Sequence, residues 1–401
     1  MTKQIRKIFL STCAVLLCTS SLFAATAEKK AQKQRQYVNT WQIAFGGTSK
    51  DIAYGVTAAK NGAVVVVGQC RSYGKGRDDV LAMKVDAHGK TLWKKTFGRK
   101  RKDIAYDVTR TADGNFVAVG ESRSFSKEGD PDLYVVKFDP DGRLIWEKTF
   151  GGDRADRGKS VVATGDGGVL IAGTSESFGD SYFDAYIVKV DKNGKEEWAK
   201  VLGGDRDDIA NGIALTADGG FVIVGVSESY GIGSKDMYIV RFDKHAKQLW
   251  TKIFGEDSED VATDVVATKD GGCVITGKTK SFGSKRFDVS VVKLAANGKT
   301  LWHRLFGYKE KEWANAIAKT DDGGFMIAGT TDSFGHGEFD FYVMQLDHEG
   351  HSVWGPVYGG VDDDIAHDIT RTSDGSFVVV GETESYGKGK EDYFIIRLQK
   401  K

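Results

Sequence analysis

The sequence predicts an all-β fold, a seven-bladed β-propeller of four-stranded blades, on three observations. Seven tryptophans, Trp41, Trp93, Trp146, Trp198, Trp250, Trp302 and Trp354, recur at spacings of 52, 53, 52, 52, 52 and 52 residues. A period near that length with β signals marks propeller blades. Each period holds four short runs rich in Val, Ile, Phe and Tyr, bounded by Asp-Gly turns. The chain stops after the third run of its last period, while the Trp41 run has no earlier partners in a period of its own. One outer strand is missing at the end and one is spare at the start, and pairing them closes the ring without an open sheet edge.

The second repeat shows the elements in order. Asp103–Arg110 is the inner strand, and an Asp113-Gly114 turn leads into Asn115–Gly120. A longer loop carries Ser124-Phe125 and ends at Asp132, where the third strand, Leu133–Phe138, begins. Asp139-Pro-Asp-Gly142 then turns the chain into the outer strand, Leu144–Phe150, with Trp146 inside it. The turns need positive φ, which glycine supplies without strain; this explains 50 glycines in 401 residues beside only 3 prolines. Runs such as Val64–Val67 and Val378–Val380 are apolar on both faces, as befits a blade sandwiched between two others. The tryptophans are expected to pack between blades, burying about 200 Å² each.

Residues 1–27 read as a signal peptide, 28–36 as a polar linker and 37–401 as the propeller. Lys3, Arg6 and Lys7 make a positive start, Ile8 to Cys18 is apolar, and Ala25-Thr26-Ala27 offers a small-x-small cleavage pattern. The apolar run is too short for a membrane span of about 20 residues. Leu17 precedes Cys18 where a lipidation signal places a small residue, which argues against a lipid anchor. The expected product is exported, to the periplasm or the extracellular space, and monomeric. Without residues 1–27, 53 basic side chains stand against 56 acidic ones, so no global field attracts nucleic acid. Cys70 and Cys273 occupy non-equivalent positions of different repeats and read as small strand residues rather than a disulfide.

The turn into the tryptophan strand reads Asp191-Lys-Asn-Gly194-Lys-Glu-Glu-Trp198 and Asp139-Pro-Asp-Gly142-Arg-Leu-Ile-Trp146. It resembles the repeat of quinoprotein-type (PQQ-like) propellers, and the chain as a whole is similar to exported bacterial β-propeller repeat proteins. The Gly-to-Trp distance agrees, while the Asp-to-Gly turn is one residue shorter. The resemblance covers the repeat unit across 37–401 and supports the fold. Quinone-dependent members carry adjacent cysteines beside the cofactor, and this sequence has no Cys-Cys pair, so no cofactor is expected. Such blades host enzymes, scaffolds and binding proteins alike, so fold alone assigns no function.

Two acids recur in every repeat. Asp51, Asp103, Asp156, Asp208, Asp260, Glu312 and Asp364 open the inner strands; Asp79, Asp132, Asp184, Asp236, Asp288, Asp340 and Asp392 open the third strands. Seven-fold repetition suits a structural role, a short carboxylate accepting backbone N–H groups at a loop end. The repeated Ser-Phe/Tyr pair, Ser72-Tyr73 through Ser385-Tyr386, reads as loop packing, with a ring of exposed aromatics for sugar stacking as its alternative. The Asp-Gly turns share one side of the ring. The longer Ser-Phe/Tyr and Phe-Gly-Gly loops share the other, and loops on a rigid scaffold are where function concentrates.

On that longer-loop face the informative residues are those that break the symmetry. The fourth position of the inner strand reads Tyr54, Tyr106, Lys159, Asn211, Thr263, Asn315 and His367, either a ligand-contacting rim or the lining of a water-filled channel. Trp313 replaces the usual Ile or Val beside the inner-strand acid, as a stacking platform or a core substitution. Arg99–Lys102 is a basic loop and Asp362–Asp364 an acidic one. Asp362, Asp363, Asp364, His367 and Asp368 could supply metal ligands, but no calcium-loop or zinc spacing appears. No nucleophile elbow, His-Glu-x-x-His or phosphate loop is present. The expected function is therefore a non-catalytic binding or scaffold propeller. Tyr54, Tyr106, Lys159, Asn211, Asn315, Trp313 and His367 would contact a glycan, a peptide or an envelope protein. The competing expectation is a glycan-cleaving hydrolase or lyase using rim carboxylates.

Overall fold

The structure, a computed structural model, describes residues 37–401 apart from 127, 128, 181 and 284. The signal peptide and linker read from the sequence lie outside the described residues. Seven antiparallel sheets form the blades. Blade 1 runs Asp51–Ala58, Val64–Cys70, Asp79–Val85 and Thr91–Phe97, from channel to rim, and blades 2 to 6 repeat that order. Blade 7 takes Asp364–Arg371, Phe377–Thr383 and Asp392–Lys400 from the end of the chain, and its outer strand, Tyr37–Phe45, from the start. Trp41 lies opposite Arg397 and Phe45 opposite Tyr393 in that closing pair. Inner strands touch in sequence order and the last touches the first, so the seven blades form a closed ring.

The core is divided among the blade interfaces. Seven apolar clusters each draw from two neighbouring blades, as where Val65, Val67 and Ala82 of blade 1 meet Phe116, Ala118 and Tyr134 of blade 2. Second strands such as Val64–Cys70 and Phe221–Ser227 are buried on both faces, as their continuous apolar runs require.

The tryptophans sit between neighbouring blades, as expected, and are half-buried there. The outer strand has no strand beyond it, so one face of each indole stays near solvent. The indole N–H instead staples the rim: Trp41 donates to the Ala87 carbonyl at 2.9 Å, Trp93 to Pro140 at 2.9 Å, Trp146 to Lys192 at 3.2 Å and Trp250 to Ala296 at 2.9 Å. Each acceptor belongs to the turn of the following blade. There Gly142, Gly194 and Gly298 have φ of 78°, 84° and 79°, and a Cβ on any of them would lie 3.0–3.2 Å or less from the indole carbons or a neighbouring side chain. Blade 6 alone breaks its outer strand, into Ser352–Trp354 and Val357–Tyr358, around Gly355-Pro356. Proline has no N–H for the ladder.

A second repeated device shapes the channel. Every inner strand slips register between its third and fifth residues, as between Ala53 and Gly55 or Ala366 and Asp368. The fourth residue is the unpaired one, a β-bulge that re-aims its side chain. Opposite each bulge stands a second-strand glycine. A Cβ on Gly68, Gly120, Gly173 or Gly225 would fall within 1.8–1.9 Å of the carbonyl oxygen of Ile52, Ile104, Arg157 or Ile209. The glycine allows that approach, and the approach permits the bulge.

Candidate functional site

The seven bulged residues are the symmetry-breaking set of the inner strands, and all seven stand round the channel near its longer-loop end. They divide into two arcs. Along blades 4 to 6 short polar side chains strap each blade to the next. Asn211 Nδ2 donates to the Ala262 carbonyl at 3.0 Å, Thr263 Oγ1 to Ala314 at 2.8 Å, and Asn315 Nδ2 to Ala366 at 2.6 Å. Along blades 7, 1, 2 and 3 the residues stack instead. His367 lies 5.0 Å from Tyr54 between ring centroids, Tyr54 lies 5.4 Å from Tyr106, and the Lys159 ammonium lies 4.4 Å from the Tyr106 centroid. A cation on a ring face gains about 0.5–2 kcal/mol, more when desolvated.

Second-strand side chains support the stacked arc. Tyr54 Oη donates to Gln69 Oε1 at 3.4 Å, and His367 Nε2 lies 3.5 Å from Glu382 Oε1. Buried Glu121 takes Lys102 Nζ at 2.9 Å and Arg157 Nε at 2.7 Å. Burial pushes its carboxyl up, but the bonds and charges of Lys102 and Arg157 outweigh that and hold it below its ordinary value. Burial raises the Tyr54 and Tyr106 hydroxyls well above the usual range, and nearby carboxylates add to it. Burial likewise pushes the Lys159 ammonium down, against the opposing pull of Glu121.

Tyr54, Tyr106, Asn211, Trp313, Asn315 and His367 line one recess of about 360 Å³ at the channel mouth, together with Val261, Thr263 and Lys278. Lys159 stands beside it, against Tyr106. Trp313 is half-buried and tilted against Phe339, 5.2 Å away, with its other surroundings in the recess. Lys278, which the sequence pattern does not single out, lies 4.2 Å from the Phe287 centroid and 3.7 Å from Glu259. It belongs to a second strand, where a charged residue interrupts an otherwise apolar run.

The repeated acids are consumed by loop architecture. Asp51 accepts N–H bonds from Gly47 at 2.9 Å, Arg71 at 2.9 Å and Ser72 at 3.1 Å. Asp103 accepts from Arg99 N–H and from the Ser122 and Ser124 hydroxyls. Asp79 accepts Lys75 and Gly76 N–H, both at 2.8 Å, and Asp392 does the same for Lys388 and Gly389 at 2.6 and 3.1 Å. The loop aromatics pack on their neighbours: Tyr73 stacks on Phe45 at 5.7 Å and donates its hydroxyl to the Gly46 carbonyl. Asp364 is tied to Gly360 N–H and the Ser385 hydroxyl, and Asp368 to the backbone of blade 1. Among the described residues no cluster of three or more His, Cys, Asp or Glu side chains is arranged to hold a metal ion. Cys70 and Cys273 are buried free thiols.

Of three channel carboxylates, Asp107 and Asp264 lie outside the sequence-predicted set, and Asp368 enters it only as a possible metal ligand. Asp107, Asp264 and Asp368 each follow a bulge and accept N–H from the next blade: from Val161 at 2.7 Å, Ile317 at 2.9 Å and Val56 at 2.7 Å. They are the acids at the fifth inner-strand position, whose other occupants are Gly55, Ser160, Gly212 and Ala316.

A family model described as outer membrane protein assembly factor BamB matches residues 76–322, more than half of the chain. The chain belongs to this family. The match carries the PQQ-type repeat, in agreement with the tryptophan turns. Regulatory protein FlaEY of Caulobacter vibrioides is 26% identical over 200 residues, which are 44% of this chain and 20% of that protein. The chain thus spans about a fifth of that relative's length. Among solved structures, the Pan2 WD40 domain of Neurospora crassa matches with a TM-score of 0.55 at 10% identity, covering 90% of this chain and 96% of that one. Sqt1 of Chaetomium thermophilum, solved bound to the N-terminus of ribosomal protein L10, gives 0.51 at 10% identity, covering 89% and 98%. These likenesses are of fold alone. No helix among the described residues is long and apolar enough to cross a membrane.

Proposed function

We propose that the chain is an exported, non-catalytic binding or scaffold propeller that recognises an envelope protein, a peptide or a glycan through its longer-loop face. One observation carries the reading: the bulged fourth residues differ from blade to blade, and six of the seven line one recess together with Trp313. A rigid ring with one irregular, aromatic and polar mouth is what a recognition site needs. The family's description as an assembly factor supports the binding or scaffold role over turnover. Residues 1–27 act as the export signal in this reading.

The experiment is capture of envelope proteins and glycans by the purified chain, beside Tyr106→Ala and Trp313→Ala. A partner retained by the parent and lost at least about 10-fold by either variant, about 1.4 kcal/mol, is expected. No retained partner at high micromolar concentration counts against the reading. Amino-terminal sequencing of the exported protein should begin at Glu28.

A further inference from the structure

The longer-loop face is electrically bipolar. On blades 1 and 2 two loops form a basic lip: a Cβ on Gly76 would lie 2.4 and 2.6 Å from the Arg99 and Arg101 carbonyl oxygens, so the loops are one surface. Three of its cations are committed. Arg71 Nε is 2.9 Å from buried Asp78, Arg99 is 4.0 Å from Glu147 and 4.2 Å from the Phe125 centroid, and Lys102 is 2.9 Å from Glu121. Lys75, Arg77, Lys100 and Arg101 are exposed and form no ion pair among the described residues. Inward of this lip, the Lys102–Glu121–Arg157 bridge leads to Lys159 at the channel mouth.

Blade 7, next in the ring, extends the basic surface with exposed Lys388 and Lys390 where its loop abuts blade 1, a Cβ on Gly389 lying 2.5 Å from the Ser49 carbonyl oxygen. On its side toward blade 6 it carries the opposite sign. Glu384 lies among Glu391, Asp363, Glu382 and Asp362, close enough for their charges to add to burial in raising its carboxyl. Lys50 answers Glu391 and His367 faces Glu382, while Asp362 and Glu384 are exposed. Val361, next to Asp362, is 75% exposed, and the blade 6 loop abuts this segment, a Cβ on Gly337 lying 2.5 Å from the Asp362 carbonyl oxygen. That loop carries Phe334, 46% exposed, which stacks on Tyr308, 62% exposed, at 5.0 Å.

Uncompensated charge of each sign in adjoining sectors selects partners by complementarity and speeds encounter. A uniform polyanion drawn to blades 1 and 2 runs onto the acids of blade 7, and a polycation meets the reverse. A polypeptide carries both signs within a short length and apolar side chains between them. We propose that the ligand of this face is a polypeptide segment with a short acidic run on blades 1 and 2, a basic run on the Asp362 and Glu384 side of blade 7, and an apolar side chain against Val361. This rests on the proposed binding role and specifies its partner.

The test is calorimetric titration of the purified chain with synthetic probes. One peptide carries about four glutamates and about four lysines, joined by Gly-Ser spacers of about 4 to 12 residues with one central leucine, reaching up to about 40 Å. An all-glutamate peptide and an oligogalacturonate of matched length are the uniform polyanions. The mixed-charge peptide is expected to bind at least about 10-fold tighter than either, and to weaken as salt is raised from low to physiological strength. Lys100→Glu/Arg101→Glu and Asp362→Lys/Glu384→Lys should each cost about 10-fold, with thermal midpoints unchanged because these side chains are exposed. Equal or tighter binding of either polyanion, or binding indifferent to both charge reversals, overturns the inference, as does failure of every spacer length to bind. If the reversed variants lose nothing while Trp313→Ala loses a captured partner, the binding role stands and this account of its ligand falls.

Discussion

Asp107, Asp264 and Asp368 are carboxylates of the channel that each bind the backbone of the next blade. Each accepts two backbone N–H groups, Asp264 from Val265 at 2.7 Å and Ile317 at 2.9 Å. Burial nevertheless wins: it pushes Asp107 up to about 6 and Asp264 up to about 7, and lifts Asp368 well above the ordinary range with the help of the Asp107 and Asp264 charges. The unfolded chain releases these protons near pH 3.9. Between about pH 4 and pH 7 the native state therefore holds protons the unfolded state has lost, and stability falls as pH rises through that window. Asp166 and Asp270 act oppositely. Burial pushes them up, but bonds from Lys189 and Thr164, or Lys293 and Thr268, prevail and hold both at about 2. Their contribution is lost as pH falls from about 4 to about 2. Thermal melts should thus peak near pH 4 to 5 and decline toward pH 8. Asp264→Asn, which removes one charge but keeps an acceptor, should flatten the alkaline decline by a few degrees, at about 2 °C per kcal/mol for a chain of this size. An unchanged slope would show that the channel carboxylates do not govern it. In the sequence Asp107 and Asp264 are hard to find among 56 acids, and Asp368 stands out only beside His367, because the fifth position gains meaning once the bulge is known. Tyr54 and His367 are legible because they break a column of otherwise repeating residues.

At the scale of the element, the bulge and its facing glycine are the smallest unit that makes the channel mouth. Gly225→Ala would set a Cβ 1.8 Å from the Ile209 carbonyl oxygen. The backbone must withdraw, at about 1–3 kcal/mol or more for overpacking, and Asn211 loses the geometry of its bond to Ala262. Gly165→Ala is the control, since nothing lies within 4 Å of its added carbon, and a surface change of that kind stays within about 0.5 kcal/mol. Chemical denaturation of the two variants tests the pair; equal midpoints would mean the bulge tolerates a side chain opposite it. Strand number, order and turn type are legible because Asp-Gly and Trp recur with the period. The bulge is not, because a one-residue slip leaves no mark in an apolar strand such as Asp208–Leu215. Nor is the exposure of the indoles, which depends on the absence of a fifth strand outside them. The break in blade 6 is signalled by two adjacent residues, Gly355 and Pro356, in a run that otherwise follows the pattern.

The whole molecule depends on a strand borrowed from the other end of the chain. Tyr37–Phe45 supplies the rim of blade 7, and its side chains enter two different cores. Trp41, Ile43 and Phe45 pack on the cluster between blades 7 and 1, while Tyr37 joins the cluster between blades 6 and 7 and meets Phe377 at 5.3 Å. Each of the seven interfaces is small, and none has a neighbour to lean on except the next blade. Opening one joint removes packing from both sides of it and leaves Asp392–Lys400 as an unpaired edge, a template for pairing with other chains. Removal of residues 37–45 should lower the thermal midpoint by more than about 5 °C, since even two lost core residues cost about 4 kcal/mol or more, and should shift the chain toward oligomers. Size-exclusion chromatography and melting curves of parent and truncated chains measure both effects. A truncated chain that stays monomeric and melts with the parent would mean that the blade interfaces alone hold the ring, and that closure contributes register rather than stability.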